Sequence, residues 1–278
     1  MKNSKEKINF DEIEAKHDPQ LSFRKIGPKL DIIVITLLVS MSVYHFWASG
    51  FGLVREVLHR GIHISYVIGL VFILFNWKKK NQLDETKSNF LTFQNINLLD
   101  YIFAFLAVST ALYLPLLPPE ILAHRVGNPE TIDVFMGSIL IILTLEAARR
   151  SVGPTLPLIS IIFILFAIFG PYAPGALKHG GTSWLGFVNH IYITNQGVYG
   201  IAVGVMAQYV FLFILFGVLA TRVGLGKLFI DLSMLIAGKF SGGPAKVAIF
   251  SSAFMGTISG SSIANTVTTG SLTIPAMK

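Results

Sequence analysis

The fold of this chain is decided by the stretch Gly256-Thr257-Ile258-Ser259-Gly260-Ser261-Ser262-Ile263-Ala264-Asn265. Apolar residues flank this stretch on both sides, whereas small and hydroxyl-bearing residues fill its centre. Inside a membrane, an interrupted backbone is tolerated only where protein buries it or where water reaches it. The stretch therefore predicts a break in a membrane-embedded helix, and such a break leaves backbone groups free to bind other partners.

The segments on either side of the break are too short to cross a bilayer alone. Residues 244–259 would form about 24 Å of helix and residues 263–277 about 22 Å, against a hydrocarbon core of about 30 Å. We therefore predict a re-entrant hairpin of two short helical arms that enters from the cytoplasmic side. At its tip, the carbonyl end of the first arm suits a cation, and the amide end of the second arm suits a carboxylate.

Two interpretations of the hairpin side chains remain open on the residues alone. Hydroxyl and amide groups supply oxygen atoms, which a hard cation prefers; they belong to Ser259, Ser261, Ser262, Asn265, Thr268 and Thr269. Alternatively, Gly256 and Gly260 match the small-residue pattern of packed membrane helices, and Ser or Thr hydroxyls can bond carbonyls of their own helix. The first interpretation predicts transport chemistry, and the second predicts packing only.

The composition indicates an integral membrane protein. Hydrophobic residues make up 53% of the chain and charged residues 13%, and the mean hydropathy is +0.64. The absence of cysteine excludes disulfides, thiol catalysis and cysteine-based metal sites. The net charge of +7 does not indicate nucleic-acid binding, because the basic residues lie beside apolar spans rather than in a patch interleaved with aromatic residues.

The hydropathy pattern predicts an all-α fold with about six transmembrane helices plus the C-terminal re-entrant hairpin. The expected spans are residues 30–49, 61–77, 98–117, 132–148, 154–169 and 201–221. We expect a cytoplasmic tail over residues 1–29, because basic residues are much more frequent in the tail and in alternate connectors than elsewhere. An apolar pattern at helical spacing over residues 225–236 predicts a further helix, on the membrane surface or packed against protein.

Other polar groups have simpler explanations. His59 and His63 lie four positions apart with His45 and Glu56 nearby; this spacing allows a metal ion, but clustered polar residues at an external interface are the commoner explanation. Asp100 and Asp133 are expected to cap helices, and Glu146 is expected to pair with Arg149 and Arg150. The spans contain few ionisable residues away from their ends, so we expect no enzymatic activity.

Several motifs carry a resemblance to a known family. Ser241-Gly242-Gly243-Pro244-Ala245-Lys246-Val247-Ala248, the stretch quoted first, and Thr268-Thr269-Gly270-Ser271-Leu272-Thr273-Ile274-Pro275 closely resemble the large membrane subunit of the tripartite ATP-independent periplasmic (TRAP) transporters. The motif Leu145-Glu146-Ala147-Ala148-Arg149-Arg150-Ser151-Val152-Gly153 looks like the fused permeases of the TAXI branch. The resemblance covers residues 132–278, whereas residues 30–131 resemble the small subunit by helix layout only.

The resemblance implies an elevator-type secondary transporter in the bacterial inner membrane, with a cytoplasmic N-terminus. It would import organic acids together with Na⁺, would need no other cofactor, and would receive its substrate from an extracytoplasmic solute-binding protein. The hairpin corresponds to the first of the family's two hairpins. By this correspondence, we expect the cation at Ser259, Gly260, Ser261 and Ser262, and the substrate at Asn265, Thr268 and Thr269.

The sequence departs from the family pattern at its C-terminus. The family's large subunit continues into a second, inverted half with a hairpin of its own, whereas this sequence stops at Lys278. We therefore expect the region 132–278 to be the first part of a transport domain, with the second half as a partner. The alternative is a truncated membrane scaffold or assembly module that does not transport.

Overall fold

The computed structural model describes residues 23–24, 26–52, 54–77, 92–93, 96–258, 265–266, 269–270, 273–274 and 277. Within these ranges helices dominate, and strands are limited to β1 (Thr92–Phe93) and β2 (Ile96–Asn97), which pair antiparallel. The described chain forms two compact units, residues 23–208 and residues from 209 onward. The prediction of an all-α membrane protein is confirmed.

The first unit contains most of the long helices. They are α1 (Pro28–Phe51), α2 (Glu56–Leu74), α3 (Leu98–Leu116), α4 (Pro119–Arg125), α5 (Thr131–Ser151), α6 (Thr155–Ile168), α7 (Trp184–Val188) and α8 (Ile201–Val205). Short 3-10 turns cover Gly170–Tyr172 and Gly175–Leu177, and a π-helical turn covers Asn189–Ile193. A second π-helical turn, Met206–Val210, continues the chain into α9 (Phe211–Val223).

Among the described residues, five helical segments are long and apolar enough to cross a membrane: α1, α2, α3, α5 and the continuous stretch Ile201–Val223. The predicted span over residues 154–169 corresponds to α6, which is apolar but has only 14 residues, about 21 Å of helix. Large apolar side chains such as Phe46, Phe105 and Ile142 point outward from these helices. Such exposure suits contact with lipid, whose chains are as apolar as the side chains themselves.

The core of the first unit forms where α2, α3 and α5 meet the segment 188–199. A proline inside α3, Pro115, lacks the N–H group that the carbonyl of Ala111 would otherwise accept. The hydroxyl of the buried Tyr199 donates to that carbonyl at 2.9 Å, and the buried Tyr192 hydroxyl donates to the Thr110 carbonyl at 2.7 Å. These two hydrogen bonds connect the segment 188–199 to α3 close to Pro115.

The second unit is built from α9, α10 (Leu225–Ala237) and α11 (Gly243–Gly256). The α9–α10 corner is sharp because Gly224 has a φ of 103°, which favours glycine. The helix predicted over residues 225–236 is present and packs against protein, but its buried face is not the apolar stripe from which it was predicted. It buries Gly226, Ile230, Ser233 and Ala237, whereas Leu235 is 77% exposed.

Candidate functional site

The first arm of the predicted hairpin is α11. Gly242, with a φ of 71°, precedes it, and Pro244 occupies its first turn, where the missing proline N–H does no harm. We predicted an arm over residues 244–259, but the helix ends at Gly256 and a tight turn follows. In that turn Thr257 and Ile258 donate their N–H groups to the carbonyls of Phe254 and Met255, each at 3.1 Å.

At Asn265 the chain lies beside the C-terminal part of α11. The side-chain amide Nδ2 of Asn265 donates to the carbonyl oxygen of Ser252 at 3.0 Å, although 13 positions separate the two residues. In a single straight helix these residues would lie about 20 Å apart. The chain has therefore returned to α11 at Asn265; we call this return the fold-back, and it agrees with the hairpin prediction.

The described residues of the second arm are helical. The Thr269 hydroxyl donates to the Asn265 carbonyl at 2.7 Å, and the Thr273 hydroxyl donates to the Thr269 carbonyl at 2.8 Å. Both threonines are almost fully buried. Their hydroxyl protons thus serve the carbonyls of their own helix, and only the oxygen lone pairs remain for a ligand.

Asn265 carries the clearest sign of a missing partner. Its side-chain oxygen Oδ1 is buried and has no hydrogen-bond partner in the described structure. A buried acceptor without a partner is unfavourable by about 1–3 kcal/mol, so such groups are rare in native proteins. An amide oxygen is also a ligand that hard cations accept.

A glycine of α9, Gly217, lies very close to a backbone oxygen of the hairpin. A Cβ atom added at Gly217 would collide with the carbonyl oxygen of Ile258, the last described residue before the fold-back. At Gly256 an added Cβ would lie 3.7 Å from Asn265 Nδ2, which is an ordinary contact. Sequence reasoning missed Gly217, although a lone glycine in an apolar span marks a close backbone approach.

The structure describes only part of the predicted site. Asn265 and Thr269 lie one helical turn apart on the second arm and are joined by the hydrogen bond given above. The remaining predicted residues, Ser259, Gly260, Ser261, Ser262 and Thr268, lie outside the described residues. The described groups around the fold-back are carbonyls, an amide and hydroxyls, all of them electrically neutral.

The histidines of α1 and α2 hydrogen-bond to one another and to nearby groups. His45 Nδ1 lies 2.7 Å from the Met41 carbonyl, which can only accept, so His45 Nε2 accepts from Nδ1 of His63 at 2.9 Å. His59 Nδ1 pairs with the Tyr44 hydroxyl at 3.1 Å. Among the described residues, no group of three or more histidine, aspartate or glutamate side chains could hold a metal ion.

The carboxylates expected to cap helices behave differently from each other. Asp133 forms a capping box at the start of α5 by accepting from the Glu130 N–H at 2.9 Å. At the start of α3, however, the cap is Asn97, and Asp100 instead pairs with two arginines. The expectation that Asp100 acts as a cap is therefore wrong. Glu146 pairs with both Arg149 and Arg150, as predicted.

Comparison with known proteins gives one family match. The model of the family described as "Tripartite ATP-independent periplasmic transporter, DctM component" matches residues 139–278, which is half of the chain. The matched region contains the whole second unit, including α11, Asn265 and Thr269. No curated protein and no solved structure matches the chain.

Proposed function

Because this chain belongs to the DctM component family of the TRAP transporters, we propose that it is the membrane permease of a Na⁺-coupled secondary transporter that imports organic acids. The observation that carries the Na⁺ assignment is the buried Oδ1 of Asn265, which has no partner in the described structure. Na⁺ is a hard cation, and a neutral amide oxygen beside backbone carbonyls suits such an ion.

The fold-back supports different roles for the two arms, one in binding the cation and the other in binding the substrate carboxylate. The carbonyl end of α11 carries a partial negative charge, which favours a cation, and the amide end of the second arm carries a partial positive charge. We propose that Na⁺ binds at Ser259, Gly260, Ser261 and Ser262 with the help of Asn265 Oδ1. We also propose that the substrate carboxylate binds near Asn265, Thr268 and Thr269. The bound cation and the amide end of the second arm would attract it, because the Thr269 hydroxyl proton already serves the Asn265 carbonyl.

The wider transport cycle follows from the family. DctM components generally work with a periplasmic binding protein and a small membrane subunit, so we propose that a soluble binding protein delivers the substrate to this chain. We propose an elevator mechanism, which the family resemblance implies: one part of the permease would carry the site across the membrane while the rest stays fixed. We further propose residues 30–131 as the small-subunit-like region and residues 132–278 as part of the transport domain.

We place the protein in the bacterial inner membrane with its N-terminus in the cytoplasm. This orientation puts the basic ends of the spans, such as Arg149 and Arg150 at the end of α5, on the cytoplasmic side.

A Na⁺-dependent shift in thermal stability tests the ion site without knowledge of the substrate. A ligand that binds only the folded state raises the unfolding temperature, so we expect NaCl to stabilise the purified chain more than choline chloride at equal ionic strength. Asn265→Ala should abolish the difference. Ser252→Ala is the matched control, because the Ser252 contact to Asn265 uses only the backbone carbonyl. Equal stability of the unmodified chain in both salts would refute the Na⁺ assignment.

A second function, a membrane scaffold that does not transport, is favoured by one observation. The hydroxyls of Thr269 and Thr273 bond carbonyls of their own helix, as the packing interpretation predicts. Uptake of radiolabelled carboxylates into proteoliposomes, with the proposed binding protein present, distinguishes the two functions. Absence of Na⁺-driven uptake by the unmodified chain would establish the scaffold function. If Asn265→Ala leaves uptake unchanged but lowers the unfolding temperature, the packing interpretation of the hairpin side chains is correct.

A further inference from the structure

A buried ionic cluster lies at one end of the first unit, where α2 ends, α3 begins and α5 ends. We call it the arginine cluster; its members are Arg24, Asp100, Glu146, Arg149 and Arg150. Asp100 lies at its centre, with Oδ2 2.7 Å from Arg24 Nη2 and Oδ1 2.7 Å from Arg150 Nη1. Arg24 also donates to the Phe75 carbonyl, just after α2, at 3.0 Å.

The charges of the arginine cluster do not balance. Glu146 accepts from Arg150 Nε at 2.7 Å and from Arg149 Nε at 2.7 Å. Three guanidinium groups therefore share two carboxylates, and one positive charge is in excess among these residues. The Arg150 side chain is fully buried and that of Arg24 nearly so. The Arg149 side chain is 36% exposed, so the excess charge lies at the edge of the cluster, where an anion can approach it.

Hydrogen-bond donors without a partner are a second, independent indication that the cluster binds an anion. Nε and Nη1 of Arg24 and Nη2 of Arg150 are buried and have no hydrogen-bond partner in the described structure. Each buried N–H group without an acceptor is destabilising. Excess charge and unpaired donors together indicate an anion that offers several oxygen atoms. A phosphate group fits this description, because guanidinium groups bind its oxygens in a forked geometry.

The cluster reaches the surface through Trp77 and Arg149. The guanidinium of Arg149 lies 5.0 Å above the Trp77 ring, and the Trp77 side chain is 54% exposed. Tryptophan is enriched at the level of lipid headgroups. The Arg150 guanidinium lies 5.2 Å from the centre of the same ring, so the cluster extends from its buried members to the exposed Trp77 side chain.

We propose that the arginine cluster binds the phosphate group of an anionic phospholipid. A phosphodiester carries one negative charge, which equals the excess positive charge of the cluster. A basic pocket between helix ends at the membrane interface is also a recurrent site for such headgroups. The bound phosphate would neutralise the first unit where α2, α3 and α5 meet.

Lipid retention in native mass spectrometry tests this assignment. The chain is released from vesicles that contain equal amounts of phosphatidylglycerol and phosphatidylcholine, and the lipids that stay bound are counted. We expect the unmodified chain to retain phosphatidylglycerol preferentially and Arg149→Gln to bind it about fivefold more weakly, since one arginine near a membrane surface contributes about 1 kcal/mol. The control is Arg222→Gln, because Arg222 is an exposed arginine at the end of α9.

Three outcomes would overturn the proposal. One is equal retention of both lipids by the unmodified chain. Another is an equal loss in Arg222→Gln and Arg149→Gln, which would indicate general surface attraction. The third is stabilisation by inorganic phosphate alone that matches the effect of phosphatidylglycerol, which would assign the cluster to free phosphate. Thermal unfolding of both variants shows that they remain folded, so that a loss of lipid reports on binding.

Discussion

Asn265 donates its side-chain amide to the carbonyl oxygen of Ser252 across a distance of 3.0 Å, and this bond ties the two arms of the hairpin together. The amide nitrogen is thereby committed to structure, while the amide oxygen of the same side chain stays unpaired in the described structure. One residue thus connects the second arm to α11 and leaves a buried oxygen that can still accept.

Cysteine labelling tests the membrane topology of the hairpin. The chain contains no native cysteine, so Pro244→Cys and Met277→Cys each introduce a single thiol at an exposed position. Because the arms fold back on each other, we expect a membrane-impermeant maleimide to label both positions from the same side. Labelling from opposite sides would mean that the segment crosses the membrane once.

Gly217→Ala should destabilise the second unit, whereas Gly256→Ala should be tolerated. The added methyl group at position 217 meets the carbonyl oxygen of Ile258, a backbone atom that cannot rotate away, whereas at position 256 it makes an ordinary contact. Overpacking of this kind is unfavourable by about 1–3 kcal/mol. Thermal unfolding of both variants in one detergent measures the difference, and equal unfolding temperatures would contradict the close approach.

Asp100→Asn should be strongly destabilising. The substitution leaves Arg24 and Arg150 without their shared carboxylate, and removing one partner of a buried ion pair typically removes about 3–5 kcal/mol of stability. Asp231→Asn provides the control, because Asp231 is exposed on α10. The free energies of unfolding in a denaturant series give the comparison. If the two variants were equally stable, Asp100 would not hold the cluster together.

Tyr199→Phe should weaken the core of the first unit. The variant keeps the ring but removes the hydroxyl that donates to the Ala111 carbonyl, which Pro115 leaves without its helical partner. We expect a loss of about 1–3 kcal/mol, the effect of one buried unsatisfied group. Tyr209→Phe removes a hydroxyl from an exposed tyrosine and should change little. Hydrogen exchange of α3 amides, faster only in Tyr199→Phe, would locate the effect.

The positions of the helices were predictable from the sequence because hydropathy alone limits where a chain can cross a membrane. The face of α10 that packs against protein was not predictable in this way. The apolar stripe that includes Leu228 and Leu235 was expected to mark one face, but those side chains are exposed and smaller residues such as Gly226 and Ser233 are buried. In lipid, apolar side chains gain little by leaving their surroundings, so small residues that allow close approach form the contacts instead.

The fold-back was predictable from the residue types, whereas the contacts around it were not. A run of small and hydroxyl-bearing residues indicated a break, and the fold-back agrees with it. The contact between Asn265 and Ser252 depends on how far the two arms overlap. The approach of Gly217 to Ile258 depends on which helix lies beside the arms. The spacing of residues along the sequence predicts neither the overlap nor the neighbouring helix. The same holds for Asp100, whose partners Arg24 and Arg150 lie 76 and 50 positions away.

The neutrality of the groups around the fold-back has a consequence for the conditions under which the protein works. Amides, alcohols and carbonyls neither gain nor lose protons between about pH 5 and 8, the interval in which histidine changes its charge. An ion bound by the described part of the hairpin, as we propose, would therefore be held with an affinity that does not change when the surroundings become acidic.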